Sequence, residues 1–315
     1  MKELDRFDPN PKKNISLKTK LIAMIVGASI VGVAVSSTVA LTVFDKGLLE
    51  QTAVELGHTT NGVEWILQDW LDTVGGFGDM LASTDHIKGY LDGSYTDDAN
   101  VYLKEKAEIC GLDVLAITDK TGKVVAGYET KVGFYSINHI IKNGLLGKKG
   151  YAYTGFGNIS FGLFTASPVQ KNGKILGVLV AGYDLSAMTD DGYVEIVHDH
   201  HSVECTIFDG KIRAATTLGE NLVGTELSNE AIVQQVLYEG KQYVGYNVIA
   251  GVKYYTTYTP LTCSDGTIAG MVFIAKSIQM IEQVRDKTLA VVLPIATILI
   301  LVLALCGYLF VRWIM

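Results

Sequence analysis

Residues 165–184 read TASPVQKNGKILGVLVAGYD. Aliphatic and β-branched residues flank Asn172-Gly173, a dipeptide that closes a two-residue hairpin because both positions accept a positive φ. A variant returns at 257–276, TYTPLTCSDGTIAGMVFIAK: Pro168 is answered by Pro260, Gly177 by Gly270, and Gly173 by Gly266 after a one-residue insertion. Upstream, Ile117-Thr118-Asp119 with Gly122-Lys123 is echoed by Ile207-Phe208-Asp209-Gly210-Lys211. The likeness spans a whole domain and predicts two copies of one fold.

The chain is 49% hydrophobic with a mean hydropathy of +0.27, high for a soluble protein. The excess is local. Residues 21–44 and 288–311 contain no Asp, Glu, Lys, Arg or His, and each run of 24 residues exceeds the roughly 20 that cross a bilayer core as a helix. Lys2, Arg6, Lys12, Lys13, Lys18 and Lys20 crowd the N-terminal arm, which places that arm in the cytoplasm and the loop between the spans outside it. A signal peptide ending near Val39-Ala40 is the alternative for the first run, but its length exceeds the about 7–15 residues of an h-region, which favours a retained anchor.

The net charge of −7 is spread without a basic run outside the arm, a pattern that does not suit nucleic acid. Cys110, Cys205 and Cys263 are an odd set between the spans, with no CxxC spacing; Cys205 and Cys263 are either a bridge or buried thiols.

Between the spans the order is regular. Val63, Ile66, Leu67, Trp70, Leu71, Val74, Phe77 and Leu81 recur at steps of three and four, predicting a long amphipathic helix over 45–82 with a bend at Gly75-Gly76. A turn at 92–98 and a short helix over 99–110 follow. Strands are expected at 112–118, 123–128, 150–156, 162–169 and 175–184, with a helix over 136–145. The second copy repeats this with strands at 203–208, 211–217, 242–249, 252–259 and 268–276, and a helix opening at Ser228-Asn229-Glu230. The run His198-Asp199-His200-His201 is expected either as a strand pair facing a metal or as a surface turn; with no third ligand at a suitable spacing, no metal is assigned.

This plan resembles the double Cache ectodomains of bacterial methyl-accepting chemotaxis proteins and related sensor kinases. The phrases that carry the resemblance are VECTIFDGKIRAATTL, then GTELSNEAIVQQVLYEGKQYVGYNVIAGVKYYTTYTPLTCSDGTIAGMVFI, and SPVQKNGKILGVLVAGYDLS. It implies an α+β fold: a long N-terminal helix, then two PAS-like Cache modules with antiparallel five-stranded sheets, flanked by two transmembrane helices. The implied division is a cytoplasmic arm (1–20), a first span (21–44), long and second helices (45–110), a membrane-distal module (111–186), a membrane-proximal module (187–276), a connecting segment (277–287), a second span (288–311) and a cytoplasmic end (312–315). In the family a HAMP linker and a signalling region, or a kinase or cyclase, follow the second span; here Arg312 to Met315 follow, so an input without its output is expected.

Ligand pockets combine aromatic walls with a few polar groups. In the first copy Tyr128, Tyr151, Tyr153, Phe164, Tyr183 and Asp184 are the candidates, rings enclosing an organic cation while Asp184 supplies the negative partner. The resemblance adds that Asp184, in YDLS, matches the aspartate that holds a ligand ammonium in amine- and amino-acid-sensing members. The arginine-tryptophan-tyrosine signature that grips an amino-acid carboxylate there is missing from this sequence. In the second copy Arg213, Tyr243, Lys253, Tyr255 and Tyr258 suit a carboxylate more weakly. The absence of Gly-x-Ser-x-Gly, His-Glu-x-x-His and phosphate-loop motifs argues against catalysis, and no cofactor is expected. The expectation is a multi-pass protein of the bacterial inner membrane, 45–287 extracytoplasmic. It binds a small polar or aminated metabolite in the distal module, pairs as a homodimer through the apolar helix stripe, and engages cytoplasmic signalling proteins. The alternatives are the sensor region of a histidine kinase or cyclase, or a membrane-anchored protein-interaction module without a small-molecule ligand.

Overall fold

The computed structural model describes residues 17–134 and 139–314, and it divides into two compact units. One is Thr52–Ile278; the other gathers the two ends of the chain, up to Gln51 and from Gln279.

In the unit of the chain ends, both apolar runs are helical. They lie in α1 (Leu17–Ala82) and α7 (Gln279–Ile314), whose most apolar windows average hydropathies of 2.1 and 3.0 and are not buried. The two helices approach closely at Gly307, where an added Cβ would lie 3.2 Å from the Ile25 side chain.

In the larger unit α1 continues to Ala82. Leu56, Val63, Leu67, Val74 and Leu81 on one face are buried, each such side chain contributing about 1.5–3 kcal/mol on leaving water. The stripe is covered by the chain's own sheets. The helix runs without interruption through Gly75-Gly76, and the close approach to the sheet comes at Gly78. A Cβ on Gly75 would touch Thr165 at 3.9 Å, and one on Gly78 would lie 3.2 Å from Ser167 Oγ. Asp79 then accepts from Ser167 (2.7 Å) and Lys149 (2.6 Å), pinning the helix to the sheet.

A helix the periodicity does not reveal follows at once. α2 (Asp85–Asp92) is capped by Thr84, whose hydroxyl accepts from Ile87 N–H, and stops at Gly93 with φ 78°. α3 (Ala99–Cys110) starts on the Asp98 cap and ends at Gly111, φ 64°. Next come β1 (Val114–Asp119), β2 (Val124–Tyr128), α4 (His139–Leu145), β3 (Gly150–Phe156), β4 (Ile159–Lys171) and β5 (Lys174–Asp184). The expected helical residues Ser136 to Asn138 lie outside the described residues. The sheet is antiparallel with order β2-β1-β5-β4-β3. One face carries Leu115, Ile117, Leu179 and Ala181 onto α1, α2 and α3; the other carries Ala116, Val178, Val180 and Ala166 toward Ile140 and Ile141 of α4.

Residues 193–201 form α5 (Tyr193–His201), correcting the strand-or-turn expectation. On a helix His198 and His200 do not share a face. His198 Nδ1 lies 2.9 Å from the Val203 carbonyl, and His201 packs over Gly62. Among the described residues no three His, Cys, Asp or Glu side chains converge as a metal site.

The second sheet repeats the first. β6 (Glu204–Asp209), β7 (Ile212–Thr216), α6 (Glu230–Val233) running into a π-helical turn (Gln234–Tyr238), β8 (Tyr243–Ile249), β9 (Val252–Thr262) and β10 (Ile268–Ser277) give the order β7-β6-β10-β9-β8. The hairpins show what the insertion does. Asn172 and Gly173 (φ 52° and 73°) turn β4 into β5 in two residues, whereas β9 reaches β10 through the wider turn Cys263–Thr267, with Gly266 at φ 85°. Cys205 and Cys263 are buried free thiols.

Candidate functional site

Two predicted residues meet at the end of β5. Tyr183 and Asp184 line a cleft of about 230 Å³ together with Trp70 of α1, Asp113 ahead of β1, and Thr189 and Asp191 of the segment after β5. Trp70 and Tyr183 form its aromatic wall, ring centroids 5.0 Å apart, and Tyr193 braces Trp70 from behind at 5.4 Å.

The three carboxylates are positioned by their own scaffold. Asp113 Oδ2 accepts the Asp184 backbone N–H at 2.7 Å. Asp184 Oδ1 accepts from the N–H (2.8 Å) and hydroxyl of Ser186, and Asp191 Oδ1 from the Thr189 hydroxyl at 2.6 Å. Each commits one oxygen and leaves the other without a hydrogen bond among the described residues. Among the described residues no Lys, Arg or His lines the cleft. Burial pushes the Asp113 carboxyl up, and the negative charges of Asp184 and Asp191 add to the shift; the Tyr183 phenol is raised by burial and then by Asp113. Crowded like charges with free acceptors beside two aromatic rings form an environment that a cation relieves.

The other candidates of the first copy lie elsewhere. Tyr128 packs with the α1–α3 cluster. Phe164 is fully buried on the α4 face, its ring laid across two glycines: a Cβ on Gly182 would lie 2.2 Å from it and one on Gly162 3.0 Å. Tyr151 and Tyr153 are neighbours, rings 6.2 Å apart, but they meet the β9–β10 turn: Tyr151 N–H donates to Ser264 Oγ at 3.0 Å and Tyr153 N–H to Cys263 Sγ at 3.4 Å. Trp70, Asp113 and Asp191 were not singled out as site residues in the sequence; the acidic run Asp190-Asp191 was the available signal.

The second copy's candidates divide by strand parity. Arg213, Tyr243 and Tyr258 belong to one face, the Arg213 guanidinium 5.2 Å from the Phe208 ring and Tyr258 between Phe208 and Tyr243. Lys253 and Tyr255 alternate onto the other. Arg213 is 9% exposed. Its Nη1 donates to Thr225 Oγ1 (2.9 Å) and the Glu226 carbonyl (3.2 Å), while Nε is buried without an acceptor among the described residues. Burial pulls its pKa down.

Residues 186–288 match the family described as single Cache domain 3. The match places a Cache domain at residues 186–288. The Cache fold extends beyond the matched residues: the ligand-binding domain of the Campylobacter jejuni chemoreceptor Tlp3, in complex with 4-methylisoleucine, superposes with a TM-score of 0.50 at 13% identity, covering 76% of this chain and 94% of that one. The same domain in complex with L-norvaline gives the same figures. The sensor domain of the Vibrio cholerae histidine kinase DctB is also similar, at 16% identity over 74% of this chain and 98% of that one, TM-score 0.49. No curated protein matches the chain by sequence.

Proposed function

We propose that this chain is the sensory part of a membrane receptor. It is anchored by the apolar segments of α1 and α7 with 45–287 outside the cytoplasm, and it binds a small amine in the cleft at the end of β5. It acts by binding and not by catalysis, and a change there is passed through the anchors to cytoplasmic signalling proteins. The observation that carries this is the set of three carboxylates, each with one oxygen held and one open, against the Trp70–Tyr183 wall. Tlp3 is described with 4-methylisoleucine and L-norvaline, ligands with both an ammonium and a carboxylate. Among the described residues no basic group lines the cleft to meet a carboxylate, so the favoured class is a mono- or diamine without one.

The test is calorimetry and thermal shift on the full chain in detergent with 1,4-diaminobutane, tetramethylammonium and L-norvaline. Diaminobutane is expected to bind best, and Asp184→Ala to cost about 1–3 kcal/mol of its binding, the range for a charged hydrogen bond. Absence of binding by all three probes, or an affinity unchanged in Asp184→Ala, counts against this site.

A second reading has its own observation. Arg213, a buried residue with an orphan Nε–H and no carboxylate partner among the described residues, suits a bound carboxylate between Arg213 and Tyr258, since a desolvated charge is costly until it is paired.

A further inference from the structure

The first sheet's edge strand β3 is completed by the second sheet. Ser264, in the turn widened by the one-residue insertion, donates its N–H to the Tyr151 carbonyl at 3.0 Å and accepts the Tyr151 N–H on its hydroxyl at 3.0 Å. Its single residue satisfies both backbone groups of one β3 position, as a neighbouring strand would. Cys263 Sγ takes the next inward N–H, that of Tyr153, at 3.4 Å. On the other side of Ser264, Asp265 Oδ2 lies 3.4 Å from His139 Nδ1 at the start of α4. Asp265 is itself held by the N–H and hydroxyl of Thr267, which braces the turn from within. The fit requires Gly150: an added Cβ would lie 2.9 Å from Ser264 Oγ.

We infer that this seat is a coupling joint: the β9–β10 turn ties α4 and β3 of the first sheet to β10 of the second, so that the two open together. The inference takes its purpose from the sensor reading, because β10 leads in sequence into α7. The two-residue turn at Asn172-Gly173 has no counterpart to Ser264, and the insertion is what supplies the reaching residue. Tyr151 and Tyr153 are then joint residues, whose backbones and not their rings carry the role.

The joint is tested without any ligand, by hydrogen exchange with mass spectrometry on the full chain in detergent. Ser264→Ala removes both the acceptor of the Tyr151 N–H and the hydroxyl that donates to the Tyr151 carbonyl. It is expected to raise exchange about five- to thirtyfold, the loss of one to two hydrogen bonds, both over 139–156 and over 268–277, leaving 114–128 unchanged. A Cβ at Gly150 would lie 3.8 Å from Ser264 Cβ, the separation a disulfide spans, on average ~3.8 Å. Gly150→Cys with Ser264→Cys is therefore expected to close on oxidation and to slow exchange in both segments until it is reduced. Exchange that rises only within 263–267 in Ser264→Ala, or protection confined to one sheet in the oxidised double variant, overturns the joint. Failure of every amine to bind would remove the sensor reading and leave this result standing.

Discussion

Asp113 accepts the backbone N–H of Asp184 at 2.7 Å, so the carboxylate ahead of β1 and the one that closes β5 are held side by side, with Asp191 across the cleft. The geometry gathers negative charge where no Lys, Arg or His among the described residues lines the cleft. Burial raises the Asp113 pKa, with the Coulombic effects of Asp184 and Asp191 adding to it. A raised folded-state value means that the folded protein binds more protons than the unfolded chain above the ordinary carboxylate value. Stability from this group is then full below the unfolded pKa of roughly 3.9 and falls as pH rises through the folded one. Asp113→Asn keeps an acceptor for Asp184 N–H and removes the charge. It is expected to raise the melting temperature at pH 7 by roughly 1–2 °C, small because the group is partly exposed and screened, to leave it unchanged at pH 3, and to weaken diaminobutane binding. Melts at the two pH values check it; a lower melting temperature at pH 7 would contradict the charge-crowding account.

Gly177 and Gly270, matched in the repeat, have matched surroundings. A Cβ on Gly177 would lie 1.9 Å from the Thr118 carbonyl oxygen, and one on Gly270 1.9 Å from that of Phe208. Both obstacles are backbone, in strands already paired on either side, so neither can swing away. Gly177→Ala and Gly270→Ala are each expected to destabilise by about 2–3 kcal/mol. Gly76, helical with no atom within 4 Å of an added Cβ, is the control: Gly76→Ala should stabilise by about 0.4–1 kcal/mol. Thermal melts of the three variants decide it, and a Gly177→Ala protein melting with the wild type would refute the close approach.

These glycines show how far the sequence is legible. Asn172-Gly173 announced its turn because few residues take positive φ, and the helix stripe announced α1 because its period is local. α2 is not legible as a separate helix because only Ser83 and Thr84 stand between it and the end of α1. The histidine run misled because four polar residues carry no period of their own. For the site, alternation along β3 tells that Tyr151 and Tyr153 share a face but not what that face meets, which is set by a turn more than a hundred residues away. Tyr183 and Asp184 were legible as neighbours; Trp70, Asp113 and Asp191 join them only through the register of β5 on β1 and the packing of α1.

Arg213 gives the last prediction. A guanidinium without a carboxylate partner among the described residues carries a desolvation cost, set against two hydrogen bonds and the Phe208 ring. Replacing it with an unbranched apolar side chain of similar length removes that cost, so Arg213→Met is expected to melt at or above the wild-type temperature. Arg213→Lys keeps the charge but not the planar fork and should melt below it. If the guanidinium awaits a carboxylate, succinate will stabilise the wild type, by about 2.7 kcal/mol at a hundredfold excess over Kd, and leave Arg213→Met unmoved. Fluorimetric melts of the full chain across a succinate titration separate the cases. A wild type indifferent to succinate and to acetate, together with an Arg213→Met protein that melts lower, would make Arg213 a structural hydrogen-bond donor to Thr225 and Glu226 and remove the second binding reading.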